Sequence, residues 1–225
     1  MKPLIRPACW RPALLLGSIA ALSGCVTAQV EEFMTTRPVL SGDDTVVIMT
    51  NRQDAVVEAE KSFTDCIYSE LGGARAQVNI ISESQFRDEM FPWFEPRLAP
   101  TEPQAFGTLL ANNRIAERVE QLKVRYLVWI HGESEAMNKQ GMMTCTLSPA
   151  GGGCLGVLSW DNNSDYEATI WDVDAGESLG IISAEATGTS VIPAIGVPIP
   201  LIARTKTASC KGLADQLRLV LSTDA

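Results

Sequence analysis

Apolar and polar residues follow distinct strand-like and helix-like patterns beyond about residue 44. Short apolar runs at 45–49 and 77–81 have the length and composition of buried strands. The run at 124–131 places apolar side chains on both alternating faces, which predicts a central strand covered on both sides. Further β-rich runs, joined by turns that contain Gly, Asn and Asp, predict antiparallel hairpins. They are 142–147, 155–160, 166–173 and 179–187.

Helical spacing of apolar residues separates and closes these strands. It predicts helices over about 54–71, 103–122 and 209–221. A further short helix begins at Ser82, which forms a capping-box pattern with Gln85. The order β-α-β-α-α-β, followed by antiparallel hairpins and a C-terminal helix, predicts an α/β fold with a mixed sheet in a single domain.

The amino terminus carries a secretory pattern. Three basic residues precede an apolar stretch over 13–22, which is shorter than the roughly 20 apolar residues of a membrane-spanning helix. The stretch closes with Leu22-Ser23-Gly24-Cys25, which resembles the lipobox of bacterial lipoproteins. The resemblance implies that residues 1–24 are a signal peptide and that the thiol of Cys25 carries lipid. The three basic residues are Lys2, Arg6 and Arg11.

Charge and size limit what the mature chain can do. The formal net charge of −9 becomes −12 when the three basic residues leave with the signal peptide. This acidity disfavours nucleic acid as a partner, because binding it depends on clustered Lys and Arg. It also disfavours polybasic adhesion to lipid, so acyl chains on Cys25 are the predicted membrane contact. With 46% hydrophobic residues, we expect one domain over 44–225, and 25–43 as the lipidated cysteine and its tether.

Four cysteines remain after the signal peptide leaves and Cys25 is lipidated, in a compartment where disulfides persist. Cys145 and Cys154 flank a Pro- and Gly-rich turn, so closure of this short loop is the simplest pairing. Cys66 and Cys210, each on the apolar stripe of its own helix, are left for the second disulfide. The rival interpretation is a site of four thiolates, although no close pair has a zinc-like spacing.

One motif resembles a hydrolase nucleophile elbow. The G-x-S-x-G pattern at Gly176-Glu177-Ser178-Leu179-Gly180 would need a strand-to-helix turn and a downstream histidine. Here it lies between two β-like runs, and the only histidine, His131, lies upstream. The pattern therefore predicts a hairpin turn, and we assign no catalytic residue.

Metal and cofactor motifs are equally weak. His131, Glu133 and Glu135 fall on one face if the strand continues, and an imidazole with two carboxylates can bind a metal. The solvated end of a strand gives the same pattern, and neither H-E-x-x-H nor Cys-x-x-Cys accompanies it. Gly151-Gly152-Gly153 lacks the lysine and helix pattern of a phosphate-binding loop. We therefore expect no metal and no cofactor.

Two segments are candidates for contact with a protein partner. Trp93 and Phe94 lie in a proline-rich loop, where they either offer a low-entropy binding surface or cover the end of the core. The uncharged segment 191–203 contains three prolines and a glycine, which disfavour a helix and a central strand. We expect a long irregular connection, either packed on the core or exposed for docking. Its candidate docking residues are Ile192, Ile195, Val197 and Ile199.

The whole pattern resembles a known envelope fold. A lipobox, an early strand-helix-strand, a central Arg-Tyr-Leu-Val-Trp strand ending in Gly132, later antiparallel strands and a closing helix are similar to the TolB amino-terminal fold. Curli-secretion lipoproteins and lipoprotein activators of penicillin-binding proteins share that fold. The resemblance covers about 44–222 in topology, and no diagnostic motif allows a functional residue to be carried over. The chain is most similar to proteobacterial outer-membrane lipoproteins, without the long paired hairpins of a curli-type pore.

These features predict a lipid-anchored cell-envelope protein at the periplasmic face of the outer membrane. It would act as a protein-binding or assembly module, with another envelope protein or a second copy as its partner. The alternative is an envelope hydrolase that uses carboxylates the sequence does not identify. A deep pocket with converging Asp or Glu would favour the hydrolase, whereas a flat apolar surface would favour the binding module.

Replacement of Cys25 by Ala tests the anchor. The wild-type protein is expected in the outer membrane, because the resemblance to enteric-type lipoproteins implies that destination unless Asp follows the cysteine, and Val26 stands there. The Cys25→Ala protein should lose incorporation of labelled fatty acid and leave the membrane fraction. Wild-type protein found soluble, or in the inner membrane, would contradict this prediction.

Overall fold

One mixed β-sheet with helices on both faces organises the computed structural model. The described residues are 26–50, 57–72, 78–94, 100, 103–149 and 151–222. The strands are β1 (Val26–Met34), β2 (Thr45–Thr50), β3 (Asn79–Ile81), β4 (Val124–Ser148), β5 (Gly151–Asp172) and β6 (Glu177–Pro198). The helices are α1 (Val57–Leu71), α2 (Glu83–Glu89), α3 (Pro103–Leu110), α4 (Asn113–Gln121) and α5 (Thr205–Val220).

The strand order across the sheet is β1-β6-β5-β4-β2-β3. β2 runs parallel to β3 and β4, whereas the neighbours from β4 to β1 are antiparallel. The described residues thus form a mixed α/β fold in a single body, as predicted. The predicted element order is not reproduced, because β1 precedes it and the helical region 103–122 divides into α3 and α4. The division lies at Asn112, whose side chain accepts a hydrogen bond from the Arg114 backbone amide.

The larger core lies between the sheet and the helices α1 and α5. Its centre is a stacked pair of rings, Phe63 on α1 and Tyr166 on β5, with centroids 3.5 Å apart. Cys66 and Cys210 join α1 to α5 in a disulfide, and Cys145 and Cys154 join β4 to β5 in another. The structure therefore contains the two pairings that the sequence predicts.

A second core lies on the opposite face, under α2, α3 and α4. The rings of Phe86, Phe94 and Phe106 pack edge-on or tilted against one another there. Phe94 is only 3% exposed, so its assignment as a docking residue is wrong. The half-buried Trp93 packs against the same cluster. Both aromatic residues therefore cover the end of the core, the alternative left open by the sequence.

The segment predicted to be a tether contains a strand. Residues 26–34 form β1, which pairs along its whole length with β6 at the edge of the sheet. Its contact with α5 is close, since a Cβ atom built on Gly212 would lie 2.8 Å from Val30 Cγ2. Sequence periodicity misses β1 because an edge strand with one partly covered face needs few apolar residues. Cys25 lies outside the described residues.

The central strands are much longer than predicted. The runs at 142–147 and 155–160 belong to β4 and β5, which continue through the residues that were assigned to turns. Ser164 Oγ lies 2.8 Å from Oγ1 of Thr205, the first residue of α5. From Ser164 toward the turn that joins β4 to β5, α5 no longer covers the strands. The projecting part of β4, β5 and β6 is called the arm, comprising 136–148, 151–162 and 189–198. The expectation that long paired hairpins are absent is therefore wrong.

The proline-containing segment 191–198 is also part of a strand. Pro193 pairs in register with Val157 of β5, although it lacks an N–H group. Its carbonyl oxygen accepts a hydrogen bond from Ile199 N at 3.0 Å, on the side away from β5. Because the nitrogen and oxygen of one strand residue point to the same side, the missing donor of Pro193 also faces away from β5. The β5–β6 ladder therefore tolerates this proline.

Paired cysteine-to-alanine variants test the contribution of each disulfide. The Cys66–Cys210 and Cys145–Cys154 bridges have sequence separations of 144 and 9. Chain-entropy arguments then give losses of about 5 kcal/mol and about 3 kcal/mol, respectively, on removing each bridge. Denaturant unfolding of Cys66→Ala/Cys210→Ala should therefore show the larger loss of unfolding free energy. Equal losses, or a larger loss for Cys145→Ala/Cys154→Ala, would contradict the expectation.

Candidate functional site

The arm carries only two charged residues, Lys139 and Asp161, and both lie near its base. Residues 140–160 and 186–203 contain no Asp, Glu, Lys or Arg, although 20% of the whole chain is charged. The first range spans the outer part of the β4–β5 hairpin, and the second spans the end of β6 and the segment that returns to α5. Because no helix covers these uncharged parts of the strands, both apolar side chains and unpaired backbone groups at the strand edges are exposed. This combination is typical of surfaces that other molecules cover.

Strand register gathers four exposed apolar side chains on one side of the arm. Met142 lies directly opposite Val157, and Leu155 lies directly opposite Ile195. Val157 and Leu155 are two positions apart on β5, so their side chains point to the same face. The exposed fractions are 77% for Met142, 49% for Val157, 71% for Leu155 and 89% for Ile195. These four residues form a contiguous apolar surface, here called the arm patch.

The docking residues predicted from the sequence in 191–203 differ in their exposure and in the face of the strand to which they point. Ile195 belongs to the arm patch. Val197 and Ile199 are also strongly exposed and lie at the end of β6 and just beyond it. Ile192 is half-buried and points to the opposite face, because it is three positions from Ile195 on the same strand. The arm patch therefore includes one predicted residue and three that were not singled out.

Hydrogen bonds hold the base of the arm in place. Asn162 Nδ2 donates to Ser190 Oγ at 2.5 Å, and this hydroxyl oxygen also accepts from the Ala203 backbone amide at 3.0 Å. The second bond ties the returning segment to β6. Ser134 Oγ lies 2.8 Å from Ser164 Oγ, which connects β4 to β5. The arm is therefore fixed to the sheet rather than attached through a loose hinge.

Two glycines allow the arm strands to approach closely. Gly141 and Gly156 have φ values of 95° and 139°, in the region that favours glycine. A Cβ atom at Gly141 would lie 2.1 Å from the Val157 carbonyl oxygen, and one at Gly156 would lie 2.1 Å from that of Met142. Side chains at either glycine would push β4 and β5 apart. The same glycines make these strands look interrupted in the sequence.

A cleft with acidic residues lies near the start of β4. Its volume is about 670 Å³, and Asp43, Lys123, Arg125 and Asp174 contribute to its wall. Lys123 Nζ donates to Asp43 at 2.8 Å, and this bond, with the lysine charge, holds the pKa of the Asp43 carboxyl below its usual value. Arg125 binds Asp172 with two nitrogens, at 2.7 and 2.9 Å. A general acid needs a raised pKa, and the pKa of Asp43 is shifted in the opposite direction.

The structure places the other candidate residues in ordinary strand positions. Ser178 lies in β6 after a four-residue turn, not at a strand-to-helix turn, so the nucleophile-elbow pattern is a hairpin as predicted. β4 does continue past His131, which therefore shares a face with Glu133 and Glu135. His131 Nε2 lies 3.4 Å from Glu167. Within the described ranges, no three His, Cys, Asp or Glu side chains converge on a metal position.

No helix in the described part of the chain is both long and apolar enough to cross a membrane. The predicted lipidation site, Cys25, lies outside that part, so the anchor stays a prediction from the sequence.

No protein-family model and no curated protein matches the chain. Two solved structures of the PelC dodecamer from Paraburkholderia phytofirmans are similar at 15% and 14% identity, with TM-scores of 0.38 and 0.36. They cover 85% and 88% of this chain and 96% and 97% of their own. A neuraminyllactose-binding hemagglutinin homolog from Helicobacter pylori is similar at 9% identity and a TM-score of 0.38, over 83% of this chain and 92% of that one. Similarity this low carries no inference about activity or assembly.

Serine substitutions test whether the exposed side chains contribute to folding. Ile195→Ser/Ile199→Ser should change the free energy of unfolding by no more than about 0.5 kcal/mol, because both side chains are exposed. Ile182→Ser, at a fully buried position of β6, should cost about 3 kcal/mol or more. Denaturant unfolding measures both. A loss of several kcal/mol in the double variant would mean that these side chains belong to the core.

Proposed function

We propose that the protein is a lipid-anchored cell-envelope protein that binds other proteins through the arm patch. The observation that carries this proposal is the exposure of four large apolar side chains on three hydrogen-bonded strands, within the uncharged ranges 140–160 and 186–203. Contiguous exposed apolar surface on a folded domain is characteristic of a contact site. The strands of the arm are already paired with one another, so a partner would meet a preformed surface and little ordering entropy would be lost.

The proposed anchor is lipid on Cys25, at the periplasmic face of the outer membrane. Its support is the lipobox resemblance of Leu22-Ser23-Gly24-Cys25, and the similarity of the sequence pattern to TolB-like envelope lipoproteins. The two disulfides are compatible with an oxidising compartment such as the periplasm. A second acyl chain would make the attachment stable.

The partner that we propose for the arm patch is a second copy of this chain. The chain has a net charge of −9, or −12 without the signal peptide, so two copies repel each other where their acidic surfaces meet. The arm is the extended surface where this repulsion is absent. Beyond its pairing with β2 at Ile130, β4 also has an outer edge that no described strand covers. An open edge beside an apolar face can pair with another strand, and tethering to one membrane raises the concentration of copies.

No specific observation favours the alternative function, an envelope hydrolase. In the cleft near the start of β4, Asp43 pairs with Lys123 and Asp174 pairs with Arg125, and the arm supplies the flat apolar surface that favours a binding module. Protein binding is therefore the better-supported function.

Aspartate substitutions in the arm patch test this proposal. Leu155→Asp/Ile195→Asp should abolish self-association, because two opposed charged surfaces would replace an apolar contact. The matched control is Val39→Asp/Leu219→Asp, which adds the same charge at two exposed apolar positions outside the arm. Crosslinking in intact envelopes and sedimentation of the detergent-extracted full-length protein measure association.

The wild-type and control proteins should form crosslinked homo-oligomers, and the arm variant should sediment as a folded monomer. A crosslinked product with a different envelope protein, lost in the arm variant, would support protein binding but contradict self-association. An arm variant that retained every crosslink would contradict the proposed role of the arm.

A further inference from the structure

The sheet has an uncovered face between β4 and β1. Alternate residues of β5, including Ser164, Tyr166 and Ala168, are buried beneath α5 and α1, so the residues between them point to the opposite face. α2, α3 and α4 pack on the β2–β4 part of that opposite face. Beyond them, across β5, β6 and β1, the side chains are exposed or half-buried. This region is called the open face.

Strand register arranges carboxylates in rows across the open face. In one row Glu133 lies opposite Asp165, which in turn lies opposite Glu185. In the next row Glu167 and Glu31 lie on either side of Ser183. No Lys or Arg occupies either row, and the basic group that faces them is His131, which lies opposite Glu167 with Nε2 3.4 Å from its carboxylate. Like charges directly opposite one another destabilise a sheet, so a cationic partner on this face would relieve an unfavourable interaction.

A cleft on the open face, between residues of β1, β5 and β6, combines two of these carboxylates with apolar groups. Its volume is about 480 Å³, and it is lined by Glu31, Phe33, Glu167, Ile181 and Ser183, among others. Phe33 is 83% exposed and lies directly opposite Ile181. The ring and the isoleucine offer apolar contact, and the two glutamates flank it with negative charge. A lysine or arginine side chain complements this cleft. Its apolar stem can pack on the ring and the isoleucine, and its cationic head can bind the glutamates or the aromatic ring.

The outer edge of β1 makes the same cleft accessible to an extended segment. β1 is the terminal strand in the sheet order, so its outer backbone groups bond no described strand. A segment that added to this edge would run beside Glu31 and Phe33, and alternate side chains would point to the open face.

We propose that the open face binds an extended, Lys- or Arg-rich segment of another envelope protein, with one basic side chain seated between Glu31 and Glu167. Charge complementarity selects this occupant. A second copy of this acidic chain would be repelled here, in contrast to the uncharged arm patch. The carboxylates are spread over separate strands, and no metal-binding group of three is found in the described residues, so a basic chain matches them better than a single metal ion does. The inference is independent of the role proposed for the arm.

A model peptide tests the proposal on the full-length protein in non-ionic detergent. The probe is a decapeptide of alternating lysine and threonine, because an extended chain places its lysines about 6.7 Å apart, like the rows of the open face. Calorimetric titration at low and high salt gives its affinity. Binding should weaken at high salt and show one peptide per chain.

Matched variants distinguish a site from general attraction. Glu31→Gln/Glu167→Gln should weaken peptide binding at least tenfold, and Phe33→Ser should weaken it at unchanged charge. The control, Glu117→Gln/Glu120→Gln, removes the same charge from two exposed residues of α4 and should change affinity less than twofold. Circular dichroism should be identical for all of them, because every substituted side chain is exposed or half-buried.

Three results would overturn the proposal. Equal weakening in the control would show that the peptide follows net charge alone. Unchanged affinity in Glu31→Gln/Glu167→Gln would place binding elsewhere. Calcium binding that this variant abolishes, without peptide binding by the wild type, would identify a divalent cation site instead.

Discussion

The burial of one sheet face beneath α1 and α5 is the constraint on which the rest of the structure depends. Phe63 and Tyr166 stack at the centre of that interface, and the Cys66–Cys210 bridge joins the two helices above it. α5 begins at Thr205, whose hydroxyl group bonds Ser164. The strands continue past this point without a helix to cover them. Where the helical cover ends therefore determines where the arm begins.

The chain separates its surface chemistry along the same strands. β4, β5 and β6 carry carboxylates on the open face in the body of the sheet, whereas residues 140–160 and 186–203 carry no charge. One continuous set of strands thus presents two chemically different surfaces, one acidic and one apolar. Such a difference in surface chemistry allows a protein to discriminate between partners, because a surface that binds one partner well binds the other poorly. Two different contacts could therefore be held in a fixed relative geometry.

Much of the fold follows from local sequence patterns, and the exceptions have identifiable causes. The strand at 124–131 was predictable because both of its faces are buried, and α5 because its apolar stripe is regular. The arm was not, because Gly141, Gly156 and Pro193 interrupt strand patterns locally and are compatible with a strand only in their cross-strand setting. β1 has too little apolar periodicity to predict.

The candidate site was only partly predictable for a related reason. The lack of charge around Ile195 pointed to a contact surface, although the segment was expected to be irregular. Met142, Leu155 and Val157 become its neighbours through the register of three strands, which single-strand patterns do not contain. An uncharged stretch as long as 140–160 was the available signal for them.

The position of β1 determines how far the arm of a lipid-anchored protein would lie from the membrane. Val26 directly follows Cys25 in the sequence and pairs with Gly188, one residue before the arm begins in β6. On the proposed lipidation of Cys25, the lipid would be attached one residue before Val26, and the base of the arm would lie close to the membrane surface. The domain would then have almost no freedom to turn over or to reach into the periplasm. Encounters through the arm would be confined to two dimensions and to one height above the bilayer.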